Sequence, residues 1–129
     1  MSIFSKIVSG EILSYKIYED SNHLAFLDIF PISKGHVLVI PKKEIDYVFD
    51  MNDREYTHLL LFAKKTSLAI KKVINCKRVS LNIVGFDVPH VHIHLIPVNS
   101  ISDLNFEKQK LTFSEEEFKE IAASIREAI

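Results

Sequence analysis

One cysteine, no tryptophan and three glycines in 129 residues leave several architectures without their raw material. A lone Cys76 supports neither an intramolecular disulfide nor a CxxC motif, which excludes disulfide scaffolds and zinc ribbons and fits a reducing compartment. Gly10, Gly35 and Gly85 are too scattered to write GxGxxG or GxxxxGK, so there is no glycine-rich phosphate loop. Sixteen basic residues against seventeen acidic ones give a formal charge of −1, with all six histidines counted as neutral. Such a balance creates no field that would draw in a nucleic-acid backbone. No run approaches the roughly 18 apolar residues of a membrane span. The opening segment is broken by Lys6 and Glu11 and lacks the apolar stretch of a signal peptide. These absences together lead to the expectation of a soluble, cytoplasmic protein that binds neither nucleic acid nor membrane.

The residues that are present describe a chain that folds. A hydrophobic fraction of 47% with 26% charged residues is the globular average, and the length suits one domain over 1–129. Ile3, Phe4 and Ile7 at helical spacing, followed by Gly10, predict a short helix closed by a left-handed cap. Runs at 16–19 and 23–27 flank Asp20-Ser21-Asn22, a turn-forming trio, and predict a hairpin. After a loop punctuated by Pro31 and Gly35 comes a β-prone run at 36–40. Tyr56, Leu59, Leu60, Ala63, Ser67, Ile70 and Ile74 predict a long amphipathic helix over about 52–75, with Lys71 and Lys72 complementing its negative end. Strand-like runs follow at 78–84 and 91–97. Ser114 and Glu117 form a capping box ahead of a last helix carrying Phe118, Ile121, Ala122, Ile125 and Ile129. Five strands with short connections and two substantial helices imply an α+β fold with a mainly antiparallel sheet.

Three of the six histidines fall in His90-Val91-His92-Ile93-His94-Leu95-Ile96. On a strand, alternate residues share a face, so His90, His92 and His94 would stand about 6–7 Å apart, with Val91, Ile93 and Leu95 packing on the other side. Such a row suits three uses. Imidazoles at this spacing can ligate a metal. One imidazole can attack phosphorus while its neighbours donate to phosphate oxygens and to the leaving group. The plain reading is the polar face of a surface strand, although such faces favour Thr, Lys and Glu.

The same stretch resembles the signature of the histidine triad (HIT) family, in which three histidines alternate with hydrophobic residues. Ile3 to Ile12 is similar to that family's opening segment, His23 to Ile29 to its nucleoside-contacting strand, and Gly35 to Lys42 to its central strand. The resemblance covers about residues 3–98, in order. It implies a HIT-like fold and a nucleotide hydrolase or transferase acting at the α-phosphate of purine nucleotide conjugates, of the phosphoramidase or dinucleoside polyphosphate hydrolase type. By the same resemblance His92 is the nucleophile, His94 contacts phosphate or the bridging atom, His90 orients the nucleophile through its main chain, and His36 is the fourth histidine. Asp28 matches the residue that binds ribose hydroxyls, Phe26, Leu27 and Ile29 line the base pocket, and Phe4 and Ile7 lie near it. Asn82 matches an asparagine on the preceding strand. No cofactor is implied, and a homodimer is.

Two departures qualify the match. Where many members carry Gly-Gln-Ser or Gly-Gln-Thr before the triad, this chain has Gly85-Phe86-Asp87, and an ionised Asp87 beside a phosphate would repel it. The alternative is therefore a catalytically weak nucleotide-binding or protein-interaction module of the same fold. In a zinc-binding subset of the family the ligands are two N-terminal cysteines, a histidine after the central strand and the first triad histidine. Ser2, Ser5 and Glu44 stand at the first three positions, so no metal is expected. Among the remaining candidates, His23 and His58 read as surface residues and Cys76 as a half-buried small residue.

Overall fold

Alternation along a few short strands sets the architecture. In the computed structural model, which describes all 129 residues, the strands are β1 (Lys16–Glu19), β2 (His23–Leu27), β3 (Val37–Pro41), β4 (Arg78–Asn82) and β5 (Ile93–Val98). The helices are α1 (Ile3–Ser9), α2 (Asp53–Val73) and α3 (Glu115–Glu127). The sheet has the order β1-β2-β3-β5-β4, and every neighbouring pair is antiparallel. This is the expected α+β class. The chain leaves β3 through α2 and returns as β4 one place away, and β5 fills the slot between them. The histidine-bearing strand thereby gains a hydrogen-bonded neighbour on each side.

Local chemistry accounts for the boundaries that the sequence predicts well. Asp20 Oδ1 accepts from the N–H groups of Asn22 (2.8 Å) and His23 (2.7 Å), closing the hairpin turn. Ser2 caps α1 by accepting from Ser5 N–H at 3.0 Å, and Gly10, at φ 85°, ends it. Asn52 with Glu55 and Ser114 with Glu117 form the capping boxes of α2 and α3.

Packing divides the sheet into two faces. Ala25, Leu27, Val37, Val39, Ile93 and Leu95 face α2 and α3 and join Leu59, Phe62, Ala63, Ile70, Phe118 and Ile125 in the main core. Leu24, Phe26, Leu38 and Ile40 point the other way and meet Phe4 and Ile7 of α1. Both faces are covered, which is why β2 and β3 are buried throughout. Each fully buried aliphatic or aromatic side chain here contributes about 1.5–3 kcal/mol.

Four expectations change. The buried stripe of α2 is Leu59, Phe62, Ala63, Thr66, Ala69 and Ile70, whereas Leu60 and Ser67 are only partly covered. The helix is rotated because α3 and the sheet contact it from two sides, and Thr66 joins the core by donating its hydroxyl to Phe62 O at 3.0 Å. Strand β5 starts at Ile93, two residues later than predicted. His23 is buried, not at the surface: its ring packs on Phe62 (5.0 Å) and its Nδ1 meets Asp20 Oδ1 at 3.0 Å, so its polar edge is satisfied. Cys76 is buried too. No helix is long and apolar enough to cross a membrane.

Candidate active site

Only His94 of the three alternating histidines belongs to the β ladder, opposite Leu38 on β3 and Asn82 on β4. His90 and His92 lie in the extended stretch that leads into β5, held by Val91 N–H on Ile45 O (2.7 Å) and His90 N–H on Val88 O (2.8 Å). All three side chains are buried, so they do not form an exposed polar face. The rings of His92 and His94 sit edge to face with centroids 5.1 Å apart. The His90 ring turns toward α1 instead, where its Nδ1 lies 2.7 Å from Ser2 Oγ.

Following the protons through these contacts assigns every tautomer. The Nε2–H of His90 donates to Pro41 O at 2.8 Å, which leaves Nδ1 to accept from the Ser2 hydroxyl. The Nδ1–H of His92 donates to His90 O at 2.7 Å, leaving the Nε2 of His92 with a free lone pair. Ile32 N–H donates to His36 Nδ1 at 3.2 Å, so the proton of His36 is on Nε2 and donates to His94 Nδ1 at 3.0 Å. The proton of His94 is then on its own Nε2. A bare nitrogen on His92 and a donor nitrogen on His94 therefore stand side by side.

Burial keeps the flanking imidazoles uncharged. Desolvation lowers the His36 pKa to about 3, with help from the charge of Lys110, and lowers His94 to about 4, with further repulsion from His36 and His92. His90 is also lowered, chiefly by burial. The carboxylates of Asp28 and Asp87 pull His94 the other way without overcoming its desolvation.

The remaining residues named from the sequence divide by location. His36 joins the triad directly. Asp28 is partly buried, with Oδ1 accepting from Phe30 N–H at 2.8 Å and Oδ2 lying 3.5 Å from His36 Nε2. Phe4 packs edge-on against His92 (5.0 Å) and Phe26 (5.8 Å), and Ile7 belongs to the same small cluster. Asn82 shares the His94 face and donates to Ser80 Oγ. Leu27 lies in the main core on the opposite face. Ile29, Phe86 and Asp87 are exposed, and Gly85, at φ 80°, sits between them and β4. Two residues beyond the motif were not anticipated. Phe106 packs edge-on against His94 at 5.0 Å, and Lys110 bonds Phe106 O from the same loop. No periodicity marks that loop.

Two groups bear on metal binding. Asp28, His36 and His94 each place a ligand atom within 4.8 Å of the others. His36 Nε2, however, carries the proton in the tautomer that Ile32 imposes, and so has no lone pair for an ion. At the position of the family's zinc site, Ser2, Ser5, Glu44 and His90 bond one another directly. Ser2 Oγ meets His90 Nδ1, and Ser2 N–H and Ser5 Oγ–H both donate to Glu44 Oε1. Two hydroxyls in place of thiolates, already engaged with each other's neighbours, do not fit zinc.

Comparison with known proteins supplies the family context. A family profile described as HIT domain matches residues 9–101. A HIT-like protein of Borreliella burgdorferi is 38% identical over 131 aligned residues, covering 95% of this chain and 94% of that one. The adenosine 5'-monophosphoramidase of Schizosaccharomyces pombe is 42% identical over 96 residues, 74% of this chain and 72% of that protein. Among solved structures, a Hit-like protein involved in cell-cycle regulation from Bartonella henselae has a TM-score of 0.85 at 30% identity, covering 99% of this chain and 96% of that one.

Proposed function

Because the chain belongs to the histidine triad family, we propose that it hydrolyses purine nucleotide conjugates, phosphoramidates or dinucleoside polyphosphates, at the α-phosphate. The observation that carries this reading is the proton pattern: His92 offers a bare Nε2 beside the Nε2–H of His94. Attack by His92 forms a P–N bond and breaks the bond to the leaving group, which accepts a hydrogen bond from the Nε2–H of neutral His94 and takes its proton from solvent. Water then adds to phosphorus, gives its proton to solvent, and releases the nucleoside monophosphate and free His92. His90 O holds the Nδ1 proton throughout and so stabilises the positive charge that His92 develops as it attacks. Asp28 serves the ribose hydroxyls with the acceptor capacity that Phe30 leaves free. Phe4, Ile7, Phe26 and Ile29 border the base, and Leu27 contributes only by holding β2 in place. The Schizosaccharomyces pombe relative makes an adenosine phosphoramidate the first substrate to test.

Mass spectrometry of quenched reactions tests this reading. A nucleotidyl adduct on His92 is the expected result, and normal turnover by His92→Ala would refute the reading. Exposed Phe86 and Asp87, whose side chains offer phosphate no neutral donor, favour a second reading in which the nucleotide is bound but slowly processed. In that case no adduct accumulates. The reading extends to a homodimer joined at the edge strand β4 with α2 at the interface, in keeping with the exposure of Leu81 on the strand and of Leu61 and Leu68 on the helix. A solution mass of twice 14.8 kDa is expected.

A further inference from the structure

His92 stands outside the β ladder, so the sheet does not hold it. Its imidazole is oriented by one hydrogen bond, to the carbonyl of His90, and the His90 segment is tied down by both nitrogens of its ring as well as by its backbone. One ring nitrogen is engaged by Pro41 O. The other is engaged by Ser2 Oγ, which also accepts from Ser5 N–H. Ser5 in turn donates to Glu44 at 2.7 Å, and Ser2 N–H donates to the same oxygen. Glu44 follows β3 by three residues, and Ile45 next to it accepts from Val91 N–H at 2.7 Å. One short loop, 41–45, thus grips residues 90 and 91 directly and grips α1 through Glu44. Phe4, also on α1, packs against both His90 (5.9 Å) and His92 (5.0 Å).

We propose that Ser2, Ser5 and Glu44 form a metal-free clasp of positioning residues that locks His90 in its Nε2–H tautomer and, through the His90 carbonyl, sets the orientation and tautomer of His92. The proposal rests on His92 being the reacting nitrogen. None of the three clasp residues is placed to touch substrate; each acts through the next. Without the Ser2 hydroxyl, His90 Nδ1 keeps only Ser5 Oγ, 3.5 Å away with its proton already given to Glu44, so the ring can reverse its protonation and release Pro41 O, and the carbonyl that holds His92 loses its reference point. The carboxylate end makes the chain charge-assisted. Its two donors hold Glu44 ionised, with the pKa lowered to about 2.

The test uses the full chain with ring-¹⁵N-labelled histidine and the variants Ser2→Ala, Ser5→Ala, Glu44→Gln and Ser2→Thr. Histidine signals are assigned by single His→Gln changes. The wild-type protein is expected to show His90 protonated only on Nε2 and His92 only on Nδ1. Ser2→Ala should mix both tautomers and lower kcat on an adenosine phosphoramidate on the order of ten- to a hundredfold with KM little changed. Ser5→Ala and Glu44→Gln should give smaller effects of the same kind, and Ser2→Thr, which keeps the hydroxyl, should restore both readouts. Ser2 also caps α1, and loss of the cap alone would lower the melting temperature without moving the tautomers. Wild-type tautomers in Ser2→Ala overturn the clasp whatever happens to kcat. Absence of turnover in the wild type would defeat the catalytic reading instead, and the ring spectra would then decide the clasp alone.

Discussion

The two flanks of His92 are built from the same residue type and end in opposite ways. On the His90 side the hydrogen-bond chain runs outward, through Ser2 and Ser5, to an exposed carboxylate on Glu44. On the His94 side it runs inward, through His36, to the backbone amide of Ile32. A chain that ends in a surface charge can be adjusted by a single side-chain replacement. One that ends in a buried amide is held by the backbone, and it changes only when an imidazole is removed. The outward chain therefore tunes orientation, whereas the inward chain sets which nitrogen of His94 carries the proton, and it buries two ionisable side chains, His36 and His94, where the outward chain buries His90 alone.

Removing the nitrogen between the flanks should have the largest effect. His92→Ala is expected to lower turnover by roughly a thousandfold or more while leaving the circular dichroism melt near its wild-type position. Next is the inward flank itself. His36→Ala leaves Ile32 N–H and His94 Nδ1 unpartnered in a buried site and opens a cavity, so urea denaturation should show a loss of about 2–4 kcal/mol. Ser2→Ala on the outward flank should cost less stability than His36→Ala. If it costs as much, the two flanks are not different in kind.

The pH dependence of stability separates the flanks more finely. His36 and His94 have folded pKa values of about 3 and about 4 against an ordinary 6.5, so below pH 6.5 the unfolded chain takes up protons that the folded chain refuses. Stability should fall as pH drops from 6.5 toward 4, by a few kcal/mol in all, and the slope should flatten in His36→Ala. Glu44 works in a lower window. Its pKa is depressed from 4.5 to about 2, so its contribution is complete above pH 4.5 and is lost as pH falls toward 2. Replacing it with Gln should remove that contribution as a pH-independent offset above 4.5 and flatten the acid limb below it. This is the smallest of the effects, and a changed slope of stability with pH between 5 and 7 would contradict the assignment.

Features that depend on neighbours in sequence could be read before the fold was known. The hairpin at 16–27, the capping box at Ser114 and the left-handed Gly10 all lie where their own side chains or backbone demand. The alternation of His90, His92 and His94 identified the stretch that carries chemistry, and His36 and Asp28 were found through family resemblance. What could not be read depends on distant partners. Nothing near Phe62, Thr66 and Ala69 says that α2 must pack on two surfaces at once, and nothing near Phe106 says that its loop crosses to His94. His23 looked like a surface residue because Asp20 and Phe62, which satisfy and bury it, act together only in the folded chain.

The sequence by itself determined the class of fold, the stretch that bears the histidines and the ligand-poor composition of the N-terminal segment. Periodicity, capping and ligand type are local properties, and an isolated segment already contains them. Tertiary structure alone decided which imidazole nitrogens carry protons. That outcome depends on Pro41 O meeting His90, Ile32 N–H meeting His36, and Ser2 meeting a residue 88 positions away. A neutral imidazole in water exchanges its proton freely between two nitrogens, and only a fixed donor on one and a fixed acceptor on the other removes the choice.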